Sequence, residues 1–160
     1  MDDFDLYRLF KTLHVIAAIL LGGGFVLEAI VGMRLPRLKT VQEVRAYAFL
    51  LYVSENFLSI PAAIAIAVFG YAAADRIGYD LDVTWLLIGQ VLFYVIAVLG
   101  LAVLRPAANR LYAMARKAPD GPVTEEIAKH MKNAGPMIVG PATTVMFVAI
   151  VYLMVSRPSW

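Results

Sequence analysis

Four separate stretches of this chain, 9–33, 46–74, 84–104 and 137–156, stay apolar for about 20 residues or more, and nothing else in the sequence constrains the fold as strongly. Hydrocarbon offers a backbone no hydrogen bonds, so only helices or closed barrels cross it. None of the four runs shows the period-two alternation of a barrel strand. The expected fold is therefore all-α: an integral membrane four-helix bundle forming a single membrane domain over residues 1–160, with an amphipathic loop at 105–136. Composition agrees, since only 16% of residues are charged, against about a quarter in soluble domains.

The net charge of +2 gives no argument for nucleic acid as a partner, and the sorting of charge between loops says more. Arg34, Arg37, Lys39 and Arg45 fall in or beside the first loop, and Arg105, Arg110, Arg116, Lys117, Lys129 and Lys132 in the third. Arg8, Lys11, Arg76 and Arg157 lie on the other side. By the positive-inside rule both termini are expected on the non-cytoplasmic side, with the basic third loop lying against anionic lipid headgroups. The acidic start, MDDFDLYRLFK, precedes a run too long for a signal-peptide core and is expected to be retained.

The first run, Leu9–Met33, is about 37 Å long as a helix and carries both a histidine and a glutamate. An ionisable residue inside such a span is a candidate functional group, because lipid solvates it poorly. Positions 14, 18, 21, 25 and 28 share one helical face, which places His14, Ala18, Leu21, Phe25 and Glu28 together and Gly22, Gly23 and Gly24 beside them. Small residues there let a neighbouring helix or a flat ligand approach. His14 and Glu28 stand roughly 21 Å apart along the helix and cannot share one compact site. Glu28 is expected to find an inner-side partner, either Arg45 or a hydroxyl.

The second run holds the most polar intramembrane patch, Ser54-Glu55-Asn56, followed by Ser59 and a kink expected at Pro61. Tyr52, Glu55 and Ser59 fit one polar stripe, in which Glu55 is either a hydrogen-bonded structural carboxyl or a proton- or cation-binding one. In the third run Gln90 and Tyr94 lie one turn apart at the expected depth of His14. Trp85 and Trp160 suit interfacial belts. Thr124 is expected to cap a short helix whose Glu126 and His130 pair at i, i+4. In the last run Thr143 and Thr144 follow Gly140-Pro141, and Met154 approaches the depth of His14. With no cysteine in the chain, His, Met, Glu, Asp and Tyr are the only side chains left to ligate a metal or haem.

The segment Leu9-Phe10-Lys11-Thr12-Leu13-His14-Val15-Ile16, with the small residues Gly22–Gly24 after it, resembles the opening helix of bacterial four-helix membrane families with a Lys-x-x-His entry, the HemJ-type protoporphyrinogen oxidases and CopD-type copper proteins. The whole chain is closer to an uncharacterised bacterial family of predicted integral membrane proteins. There an acidic residue precedes a proline and a glycine in the second helix, matched by Glu55, Pro61 and Gly70, and the last helix ends like Tyr152-Leu153-Met154-Val155-Ser156-Arg157-Pro158. The resemblance implies a bacterial plasma (inner) membrane protein. It also implies that His14 corresponds to a histidine implicated in binding haem b in the HemJ-type enzymes. The further histidines and later lysine of those enzymes have no counterpart, since His130 lies in a loop and the third run has no lysine.

The leading expectation is a small haem protein with a redox or haem-handling role, in which His14 is the iron ligand. Haem b would sit among the first, third and fourth spans, near Gly22, Gly23, Gln90, Tyr94 and Met154, with Lys11 towards a propionate. One alternative is a non-enzymatic accessory or scaffold subunit of a larger membrane assembly, with His14 bonded to Gln90 or Tyr94. Another is a small proton- or cation-coupled carrier using the intramembrane polar residues Glu28, Glu55 and Asn56. Membrane lipids, a homo-oligomer or a larger complex are the expected partners.

Overall fold

A computed structural model describes residues 2–158, so the Trp160 expectation lies outside the described residues. Among the described residues, four helices are long and apolar enough to cross a membrane. They are α1 (Asp3–Arg34, continued by a 3-10 turn at Leu35–Arg37), α2 (Val41–Arg76), α3 (Thr84–Lys117), and a fourth made of short α4 (Glu125–Met131) and α5 (Ala134–Ser156). Among the described residues the only extended pairing is an isolated bridge between Thr40 and Pro122.

The helix ends follow local chemistry. Asp2 caps α1 by accepting from the Asp5 N–H, and Thr40 and Glu43 form a reciprocal capping box at the start of α2. Thr124 caps α4 as its position predicts, accepting from Ile127 N–H. His130 does not depend on Glu126 for its place: its Nε2 donates to the Ala107 carbonyl of α3 at 3.2 Å.

Two helices contain a π turn directly ahead of a proline. In α2 the turn is Ser54–Ser59, where Ile60 N–H bonds the Glu55 carbonyl. In α3 it is Gly100–Leu104, where Arg105 N–H bonds the Gly100 carbonyl. Pro61 and Pro106 each lack a donor and crowd the carbonyl four residues back, and the wider turn relieves that crowding. At Pro61, where the sequence predicts a kink, the observed feature is this π turn. Pro106 does not end the third helix, which continues to Lys117 where the sequence reading places a loop from 105.

Spans of 32 to 36 residues are about 50 Å long, well over the roughly 30 Å of hydrocarbon, so their ends project from it. At the end away from the termini the projecting parts make a core of their own, in which Val31, Leu35, Val41, Val44 and Ala48 pack on Leu111, Ala115, Ile127 and Met131. Arg45 ties that end together. It donates to the carbonyls of Ala115 and Ala118 and pairs with Asp120 at 3.1 Å, and is therefore not the partner of Glu28.

Towards the termini the packing is looser. There α1 lies along α2, α3 lies along α5, and α1 meets α5, while α2 and α3 stand apart. Leu21, Phe25, Ala62 and Ile96 form the core at this level, with Phe25 and Phe147 rings 5.3 Å apart.

Candidate functional site

The gap between α2 and α3 is a cavity of about 270 Å³. α1 supplies Leu21, Phe25 and Glu28, α2 supplies Glu55, Ser59 and Ala63 among others, and α3 supplies Phe93, Tyr94, Ala97 and Gly100. Its surface is almost wholly apolar apart from the end holding the two glutamates. The shared face read from positions 14 to 28 delivers Leu21, Phe25 and Glu28 to this place.

Glu28 is held by two serines. Ser54 and Ser59 hydroxyls both donate to Glu28 Oε1, at 2.9 and 3.1 Å. Five residues apart, they would stand about 140° apart on a regular α-helix at about 100° per residue. The π turn between them brings both onto one oxygen. Gly24 makes room, since a Cβ there would lie 2.6 Å from Ser59 Oγ.

Glu55 is different. It is 5% exposed, and its carboxyl receives no hydrogen bond from any described residue. The charges within reach of it are Glu28 and Arg105. Arg105 is itself engaged, donating from Nε to Asn56 Oδ1 at 3.0 Å, while Asn56 donates to the Tyr52 carbonyl and to Asn109 Oδ1. This network ties α2 to α3 next to Glu55 and Leu104, on the loop side of the cavity. Tyr52 leaves the stripe expected of it and stacks on Tyr112, 5.0 Å between ring centres.

At the other end α2 and α3 are bridged again. Tyr71 donates to Gln90 Oε1 at 2.8 Å and accepts from Tyr94 at 2.8 Å, and Gln90 Nε2 reaches the Leu81 carbonyl. His14 is not part of this bridge. Its Nδ1–H donates to the Ile66 carbonyl at 2.8 Å, with the ring lying on Gly70, which leaves Nε2 as the nitrogen outside this bond.

The residues named around His14 therefore do not converge on it. Gln90 and Tyr94 turn to Tyr71, Met154 packs against Gly89, and Lys11 lies exposed with Nζ 5.6 Å from the Tyr7 ring centre. Gly22 receives the Phe147 ring, and Gly23 faces open space. Trp85 is buried, 6.3 Å from the Tyr79 ring between centres. Thr143 and Thr144 hydroxyls return to the Gly140 carbonyl, ahead of Pro141. No cluster of three or more His, Cys, Asp or Glu able to hold a metal ion occurs among the described residues.

Set beside known proteins, residues 8–158 match the model of a family described as a predicted integral membrane protein. No curated protein matches the chain, and no solved structure matches it.

Proposed function

This chain belongs to the DUF2269 family of predicted integral membrane proteins, is embedded in a membrane by four apolar helices, and, we propose, handles protons or cations at the Glu28–Glu55 pair. The observation that supports this is the Glu55 carboxyl, which receives no hydrogen bond from any described residue and keeps its small exposed surface towards an apolar cavity, beside a second carboxyl. A bare charge in such surroundings costs several kcal/mol, so the group holds either a proton or a cation. Exchange of one for the other is the elementary step of a coupled carrier. The distribution of Lys and Arg supports placing the termini outside the cytoplasm. The test is cation-driven proton movement in reconstituted vesicles, read by an internal pH dye. Flux should fall to the protein-free level in Glu55→Gln, and equal flux in that variant and the wild type would exclude the role.

A second reading, haem b on His14, is favoured by one observation. A ring whose Nδ1–H is fixed by a backbone carbonyl presents Nε2 in the manner of metal-ligating histidines. Haem iron takes a single axial histidine from the chain, or one from each copy of a homodimer. A Soret band after expression with haem, lost in His14→Ala, is the expected result, and a colourless protein removes this reading. A protein with neither flux nor colour would leave a subunit of a larger assembly, marked by a stoichiometric partner retained in mild detergent.

A further inference from the structure

We infer that the cavity between α2 and α3 binds a small organic cation, an ammonium group on an apolar body, which enters from the lipid and meets the Glu55 carboxyl. This deepens the proposed role of the glutamate pair and rests on it.

The donor set argues for an organic cation rather than a divalent metal ion. Calcium needs six to eight oxygens around it and magnesium an octahedron. Apart from Tyr94, whose hydroxyl is bonded to Tyr71, the polar side chains lining the cavity are Glu28, Glu55 and Ser59, and nearly all of the remaining surface is carbon. Both serine protons are already committed to Glu28, which fixes that carboxyl in place and leaves Glu55 as the acceptor without a donor. An ammonium supplies donors to one side only and presents carbon on the other. Its complement is a carboxylate floor under apolar walls.

Size and access agree. At about 270 Å³ the cavity falls just below the roughly 300–1,000 Å³ usual for drug-sized ligands, so the occupant is one ring or a short chain. The rim residues Ile64 and Leu101 are exposed on the surface that faces lipid. α2 and α3 are tied to each other above and below the gap, by Tyr71 with Gln90 and by Asn56 with Arg105, and not across it. A ligand dissolved in the bilayer therefore reaches Glu55 without crossing either tie.

Calorimetry in nanodiscs, with 4-phenylbutylamine as the probe and 4-phenylbutanol as its neutral counterpart, tests this. The amine is expected to bind one per chain, and Glu55→Gln to weaken it by about tenfold or more, as loss of a charge-assisted bond in an apolar site requires. The alcohol should bind wild type and variant alike, and weakly. Alcohol binding as tight as the amine would mean a groove for lipid tails and would overturn the inference, as would unchanged amine binding in Glu55→Gln. Should that variant fail to fold, Ala97→Cys places the only thiol of the chain in the cavity. Its labelling by N-ethylmaleimide should be slowed by the amine and not by the alcohol, and equal slowing or none overturns the inference. Proton flux that needs Glu55 without any amine binding removes the amine and keeps the carboxylate role. Amine binding with flux indifferent to Glu55→Gln removes the role in proton movement instead.

Discussion

The ring of His14 occupies the space that Gly70 leaves by having no side chain: a Cβ on that glycine would stand 2.8 Å from Nδ1 and 3.0 Å from Cε1. The glycine thus fixes how closely α1 and α2 approach. Gly70→Ala should force the ring off the Ile66 carbonyl and cost about 1–3 kcal/mol, as overpacking does. Gly23→Ala meets nothing within 4 Å and should be neutral or slightly stabilising, as glycine replacement in an open helix position is. Thermal unfolding in detergent distinguishes the two, and equal effects would refute the fit.

The serine pair on Glu28 gives a graded series. Ser54→Ala or Ser59→Ala alone should cost about 1 kcal/mol, the net worth of one hydrogen bond. The double variant leaves the carboxyl without a donor, and its loss should exceed the sum of the single ones. Simple additivity in unfolding measurements would mean that the serines do not act on a common group.

Asn56 and Arg105 should be coupled. A double-mutant cycle with Asn56→Ala and Arg105→Ala is expected to give an interaction of about 0.5–3 kcal/mol, the range for neighbours in one network. The same cycle between Asn56 and Gln90, which belong to opposite ties, should give close to zero. Similar values for both would show that the ties are not separate.

The capping box at the start of α2 lies ahead of the apolar run and is exposed to water. The backbone N–H of Lys39 first, and then the hydroxyl and N–H of Thr40, hold the Glu43 carboxyl below the usual carboxylate range. A lowered folded value adds stability that is full above the unfolded carboxylate range and is lost as pH falls through the folded one. Stability measured against pH should therefore lose part of its acid-side slope in Glu43→Gln. A slope identical to that of the wild type would show that the box contributes nothing in solution.

Much of this architecture is legible in the sequence because length and polarity alone define a membrane helix. The face shared by Leu21, Phe25 and Glu28 is legible too, since α1 is an unbroken α-helix and its spacing holds throughout. The spacing fails where a π turn shifts the register. That is why Ser54 and Ser59 do not read as a pair; Tyr52, ahead of the turn, is drawn away from the stripe by the ring of Tyr112. Depth is a poor guide to neighbours: His14, Gln90 and Tyr94 share a level in the sequence pattern, but level does not say where around the bundle a side chain points. The hydroxyl alternative for Glu28 was met and Arg45 was not, because Arg45 is taken by the carbonyl ends of α3. Gly24, not Gly22 or Gly23, is the glycine that serves the carboxyl site, and its signal was the serine opposite it.

A helix bends most readily where its hydrogen-bond ladder is irregular, and in α2 and α3 the irregular turns face each other across the cavity, each followed by a proline. Below them Arg45 and the loop-side core hold the helices fast, and beyond them α2 and α3 part. The two helices thus form a frame clamped at its base and pinned again where Tyr71 meets Gln90 and Tyr94, with an elbow in each side at one height. Both elbows lie beside the carboxyls, so the width of the gap and the surroundings of Glu55 are set by the same two turns.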